Sequence, residues 1–263
     1  MHTRPPAVAG QFYTQSPEQL QSQLDCWLPK GLSWPHPIRA IIAPHAGYIF
    51  SGKVAANAYQ YLKSQADRIH RVIIIGPSHR HYFNGCAVPS AAFFSTPLGN
   101  IKIDTQCIDK LKEIDDIEVS DQVHAQEHCL EVQLPFLQSC LHDFTLLPLL
   151  TSNVSPTRVA NIIDTLWQGN DCLLIISSDL SHFHSYSTAQ HIDSHTCALI
   201  ENHEPSLTPE QACGSTGINT LLLLAKQRGY QFTRKAFINS GDTTAGDKEK
   251  VVGYVSYLIS DPE

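Results

Sequence analysis

The sequence predicts a single α/β domain, residues 1–263, built on a mostly parallel central sheet flanked by helices. Three observations predict it. Short apolar runs alternate with stretches at helical spacing, as crossover connections between parallel strands require. The runs "AIIAP", "RVIIIG", "FTLLPLLTS" and "DCLLIISSD" carry few polar residues, the pattern of strands covered on both faces. No composition break or internal repeat divides the chain, which is long enough to bury one large core.

Residues 1–37 combine a Pro-rich start, a helix in "SPEQLQSQLDCWL" with Ser16 as N-cap, and a "PKGLSWPHP" connection. "AIIAP" is the first buried strand, "SGKVAANAYQYLKSQ" a helix opened by Ser51, and "RVIIIGPSH" the next strand. Residues 86–103 read as a β insertion in which "CAVPS" and "LGNIKID" flank a Pro-Leu-Gly turn. A polar helical region leads into "EHCLEVQLPFLQSCL", where Leu130, Leu134, Leu137 and Leu141 repeat at helical spacing. "FTLLPLLTS" is a strand, "SPTRVANIIDTLWQ" a helix with Pro in its first turn, and "DCLLIISSD" another buried strand. Helices are expected over 188–203, 208–213 and 215–228, then a Gly/Asp-rich loop and the strand "VVGYVSYLI".

A net charge of −7 with no basic stripe makes nucleic acid an unexpected partner. The eight cysteines are scattered with no C-x-x-C pair, and "MHTRPPAVAGQFY" lacks the apolar stretch of a signal peptide. No apolar run reaches the roughly 18–20 residues of a membrane span. The expectation is a soluble cytoplasmic protein with free thiols and no membrane partner.

Fourteen histidines are the anomaly of the composition, and several stand where strands end. His45 follows "AIIAP", His79 and His81 follow "RVIIIGPS", and Asp179, His182 and His184 follow "DCLLIISS". Ligands of open α/β sheets bind beyond the carboxyl ends of the strands, so parallel neighbours would bring His45, His79, Asp179 and His182 to one rim. Imidazole suits zinc, iron and copper. Asp179 and His182 form D-x-x-H; on a helical turn they would share a face, and the carboxylate would orient the ring. Glu127, His128 and Glu131 fit an acid–imidazole cluster at a helix start, and equally a solvated first turn placed for the helix dipole. A single histidine after a strand is more simply a loop residue bonded to backbone; three repeats favour a pocket. His81 and His184 fit outer or exposed positions. Any one cysteine, Cys213 included, reads from composition alone as a small buried hydrophobe.

The ordered set "RPPAVAGQFY", "APHAGYIFSG", "GPSHR", "EHCLEVQLPFLQ", "SSDLSHF", "ACGSTGI" and "NSGD" resembles the Memo family, whose bacterial members are called AmmeMemoRadiSam system protein B. The resemblance covers nearly the whole chain, from Arg4 to the terminal strand. It implies a fold similar to the class III extradiol dioxygenases, which hold non-haem iron on two histidines and a glutamate. Carried onto this sequence, it makes His45, His79 and Cys213 the metal ligands, and it sets Asp179, His182, Glu127 and His128 around them as catalytic candidates. A thiol in place of the third carboxylate favours iron or copper, with zinc behind, in a redox role other than ring cleavage. The resemblance also implies association with an AMMECR1-like protein and a radical SAM protein. Three functions are compatible with this pocket: a metal-dependent oxidoreductase, a zinc-type metallohydrolase, and a binding module that takes a small molecule or peptide without turnover.

Overall fold

The computed structural model describes residues 2–262. The chain opens on β1 (Thr3–Arg4) and α1 (Pro17–Trp27), whose N-cap Ser16 accepts the Gln19 N–H. The first crossover unit is β2 (Ile38–Ala43), α2 (Tyr48–Tyr59) and β3 (Arg71–Pro77). Short elements follow: β4 (Cys86–Val88), β5 (Phe93–Thr96), β6 (Gly99–Ile103), α3 (Thr105–Leu111), β7 (Ile117–Val119) and α4 (Asp121–Ala125). A 3-10 turn over Glu131–Gln133 leads into α5 (Leu134–Cys140). Then come β8 (Thr145–Thr151), α6 (Pro156–Leu166) and β9 (Cys172–Ser177). The remainder is β10 (His182–His184), α7 (Tyr186–Glu201), α8 (Ser215–Arg228), β11 (Gln231–Asn239) and β12 (Val251–Ser260).

The strands form one mixed sheet in the order β1-β5-β6-β8-β3-β9-β2-β12-β10, with β11 paired to β12 and β4 to β8 and β7. Its centre, β8-β3-β9-β2, is parallel, and β12 closes antiparallel on β2. Every residue of β9 is buried, because α8 packs on one face of this centre while α2 covers the β2–β12 side. Each aliphatic side chain sealed this way contributes about 1.5–3 kcal/mol. The parallel register, Ala43 beside Ser177 and Ile75 beside Ile176, brings the carboxyl ends of β2, β9 and β3 together. The fold class is the expected one.

Local expectations needed correction. α2 begins at Tyr48, and Ser51 Oγ donates to the Ala46 carbonyl instead of capping the helix. Residues 208–213 form a turn closed by Gln211 and Ala212 N–H on the Thr208 carbonyl, and no helix. The Leu130–Leu141 pattern holds an α-helix only from Leu134, where Pro135 sits in the first turn. β11 has no apolar run because most of it is half-buried, and its Arg234 and Lys235 side chains lie over the rings of Phe237 and Trp34. The D-x-x-H segment is no helical turn: His182 starts β10, which pairs with β12. No helix among the described residues is long and apolar enough to cross a membrane.

Candidate metal centre

His45 lies two residues beyond β2, His79 two beyond β3, and Asp179 two beyond β9. A fourth segment, Gln126–Leu130 between α4 and the 3-10 turn, adds His128. The three rings stand 5.1 Å (His45–His79), 5.4 Å (His45–His128) and 4.7 Å (His79–His128) apart by centroid. One ligand nitrogen from each lies within 4.8 Å of the others. Nitrogens bound tetrahedrally at about 2.1 Å are roughly 3.4 Å apart, so small side-chain rotations close this group on an ion.

The hydrogen bonds fix how each ring is held. Ser177 Oγ donates its one proton to the Cys129 carbonyl at 2.6 Å and accepts from Gln133 Nε2 at 2.9 Å. Toward His45 Nδ1, 2.9 Å away, it can only accept, so that Nδ1 carries the hydrogen and Nε2 keeps its lone pair. Burial first, then repulsion from His79 and His128, hold the His45 ring well below the usual imidazole range, and it is neutral at pH 7. The other two rings share one anchor. Glu127 Oε1 lies 2.9 Å from His79 Nδ1 and 3.1 Å from His128 Nδ1. It also accepts the backbone N–H groups of His128 and Cys129, while Oε2 accepts that of His79 at 2.7 Å. Burial alone would raise this carboxyl, but the hydrogen bonds from His128 and His79 outweigh it and hold Glu127 well below the usual carboxylate range. An ionised carboxylate only accepts, so both Nδ1 atoms carry hydrogens. The neutral His45 ring thus keeps Nε2 unprotonated, the state a metal requires, and Glu127 fixes the orientation of the other two rings.

Cys213 approaches this group through His45 alone, with Sγ 3.2 Å from His45 Nε2 and 3.3 Å from the Asp179 nitrogen, so the structure gathers His128 with His45 and His79 where the resemblance implies Cys213. Burial, helped by the Asp179 charge, pushes its thiol up to about 12, so S–H is the donor to Nε2. Gly214 next to it permits the approach: a Cβ there would stand 2.6 Å from Ser178 Cβ and 2.7 Å from the Ser177 carbonyl. Gly214→Ala is therefore expected to shift the start of α8, cost about 1–3 kcal/mol, and reduce metal retention by moving the thiol. Unfolding curves beside metal stoichiometry check this; wild-type values for both would refute it.

Asp179 accepts the His45 N–H at 2.8 Å, and its other oxygen stands 3.9 Å from His45 Nε2. Burial raises its carboxyl to about 6, close to neutrality. Its partner is thus the His45 backbone; among the described residues it makes no hydrogen bond to His182. His182 is half-buried, its ring lowered first by burial. His79, Glu127 and Cys129 form a second ligand-like group, but Glu127 there already orients two rings and Cys129 Sγ contacts the Pro77 carbonyl at 3.2 Å. It supports the first group and adds no separate centre.

The solvated reading of Glu127 and Glu131 does not hold, since both are buried. Arg4 reaches them from the start of the chain. Its guanidinium donates to the Glu131 carboxylate (2.8 Å), the His124 carbonyl (2.8 Å) and the Glu127 carbonyl (2.7 Å). Glu131 also accepts from Ala7 N–H, Val8 N–H and Tyr13 Oη. Arg4, Ser177 and Gln133 escaped the sequence reading, although Arg4 opens the first quoted motif and Ser177 stands in "SSD".

A family model described as Memo-like protein matches residues 4–258. The chain belongs to the Memo family. It is similar to a MEMO1 family protein of Methanosarcina mazei, 35% identical over 98% of this chain and 100% of that one. A MEMO1 family protein of Metallosphaera sedula is 31% identical over 98% and 99%. A solved structure of an uncharacterized protein from Escherichia coli K12 shares the fold, with a TM-score of 0.53 at 12% identity, covering 84% of this chain and 99% of that one. In this Memo family chain, the quoted motifs supply the three imidazoles and the thiol that contacts His45.

Proposed function

We propose that this Memo family protein is an iron- or copper-dependent redox protein, with His45, His79 and Cys213 as ligands and His128 as a fourth donor on the open side. One observation carries the reading: His45 Nε2 faces the Cys213 thiol at 3.2 Å while its Nδ1 is held by Ser177. When bound, iron or copper would supply one-electron chemistry. The chain's own residues do the rest. Glu127 fixes the His79 and His128 rings, Ser177 fixes His45, and Asp179, its carboxyl raised by burial to about 6, stands beside the ligands as a group that takes up a proton in mildly acidic conditions. His182, at the rim, is placed to exchange protons with solvent. The same reading carries the expectation of work alongside an AMMECR1-like and a radical SAM protein.

Elemental analysis of anaerobically purified protein tests this. Wild type is expected to carry near-stoichiometric iron or copper, and His45→Ala and Cys213→Ser to lose it. Uptake must displace the thiol proton, so affinity should rise about tenfold per pH unit across neutrality in wild type, and the slope should flatten in Cys213→Ser. Undiminished metal in both variants would sink the proposal. One observation favours a second reading: three imidazoles with a nitrogen each within 4.8 Å of the others also suit zinc and a bound hydroxide. Zinc retained by Cys213→Ser, with oxygen-independent hydrolysis, selects that metallohydrolase. Protein that stays metal-free after reconstitution leaves the non-catalytic binding module.

A further inference from the structure

The loop between β3 and β4 is pinned on both sides of Tyr82. Before it, Ser78 N–H donates to the Thr151 carbonyl at 2.9 Å and Ser78 Oγ to the His81 carbonyl at 2.7 Å. After it, Phe83 N–H donates to Ser152 Oγ at 3.2 Å, and Asn153 N–H to the Phe83 carbonyl at 3.0 Å. Tyr82 is nevertheless 80% exposed, the most of any large hydrophobic residue among those described. Its exposure is not that of a frayed loop: a held backbone presents the ring to the outside.

That ring lines a cleft of about 320 Å³, together with Pro77, Pro209 and the start of α8. Cys213 lines it too, which joins the cleft to the candidate metal centre through His45. No Asp, Glu, Lys, Arg or His side chain is among its walls, so no side chain there balances a charge on a ligand. What the walls offer is neutral hydrogen bonding. Asn153 gives Nδ2 to Asn84 Oδ1 at 2.7 Å, which leaves its own Oδ1 an acceptor without a partner among the described residues. Ser152 Oγ accepts from Phe83 and keeps its proton to give. The Thr216 hydroxyl makes no hydrogen bond among the described residues and is able to give and accept.

An uncovered aromatic face beside rotatable hydroxyls suits a saturated ring that carries hydroxyls of its own. The C–H face of such a ring packs on the tyrosine, and its hydroxyls, donors and acceptors at once, pair with groups of the same kind. A nucleobase edge has a fixed order of donors and acceptors, which hydroxyl rotors do not read. We propose that this cleft is a subsite for an uncharged sugar ring, a pentose or hexose carried by the molecule that the pocket takes. The ring lies on Tyr82 with its hydroxyls on Ser152, Asn153 and Thr216, and the remainder of the ligand passes Cys213 toward His45. The assignment deepens the metal reading by naming a class of ligand, and rests on that reading only for the role of Cys213.

Metal-free, isotope-labelled wild type titrated with D-ribose and D-glucose tests it, with cyclohexanol, adenine and acetate as comparators. At least one sugar is expected to shift the Tyr82, Asn153 and Thr216 amide resonances saturably, and each comparator to bind much more weakly. Tyr82→Ala and Asn153→Ala should each weaken the sugar about five- to tenfold, while Tyr82→Phe, which keeps the ring face, should bind as wild type does. Both side chains are exposed, so the remaining resonances of these variants should overlay those of wild type. Absence of a saturable shift with either sugar, wild-type affinity in Tyr82→Ala, or a comparator binding as tightly as the sugar would each overturn the assignment. Because the titration uses metal-free protein, its outcome is separate from that of the metal analysis.

Discussion

Glu127→Ala is expected to weaken metal binding by about 10–100-fold and to destabilise the fold by about 3–5 kcal/mol. Both effects have one origin. The carboxylate receives two imidazole Nδ1–H groups and three backbone N–H groups in a buried place, and alanine orphans them together. Released rings would rotate, and the nitrogens that now lie within 4.8 Å of one another would separate. Glu127→Gln should lie between, since one amide oxygen still accepts while the NH2 confronts donors. Denaturant midpoints and metal titrations measure the two losses, and a variant matching wild type in both would remove Glu127 from its anchoring role. The acid limb carries the same signature. A carboxyl held below its usual range stabilises the native state fully above the unfolded value, about 4.5, and that contribution drains away as pH falls toward the folded value. Glu127→Gln should flatten that limb of the stability profile.

Arg4→Met is expected to cost a further large amount, about 3–5 kcal/mol, without touching any metal ligand. It leaves the Glu131 carboxylate, fully buried, with only Ala7 N–H, Val8 N–H and Tyr13 Oη. It also strips the His124 and Glu127 carbonyls of their donor, loosening the segment that carries Glu127. Tyr13 cannot compensate by ionising: burial, then Glu131, pushes its hydroxyl far above the usual phenol range, and it remains a donor. Chemical unfolding with an unchanged denaturant slope isolates the effect. A loss under about 1 kcal/mol would mean that solvent reaches Glu131.

The parts of this centre that a single sequence exposes are those set by strand ends. His45, His79 and Asp179 were legible because an apolar run must stop where its residues meet the rim, and the parallel order puts those stops side by side. What each group does was not legible. Ser177 selects the His45 tautomer only because Gln133 and the Cys129 carbonyl, from another segment, occupy the rest of its hydroxyl. Asp179 looked like the partner of His182 by spacing, yet β10 turned to pair with β12 and the carboxylate went to the His45 backbone. Glu131 reads as a solvated helix start until Arg4 reaches it across most of the first half of the chain. Contacts of that sequence separation leave no local periodicity to detect.

The pairing of β2 with β12 sets a schedule for synthesis. Ile42 faces Tyr257, so the strand that leads into His45 waits for a neighbour made more than two hundred residues later. At roughly 5–20 residues per second, the ribosome leaves that edge of the sheet bare for about 10–40 s. During this interval an apolar strand offers unpaired backbone groups to any passing chain. Newly made protein is therefore expected to gain from a holding chaperone until β12 docks, and yield in cells should follow chaperone supply more closely than the stability of the finished molecule.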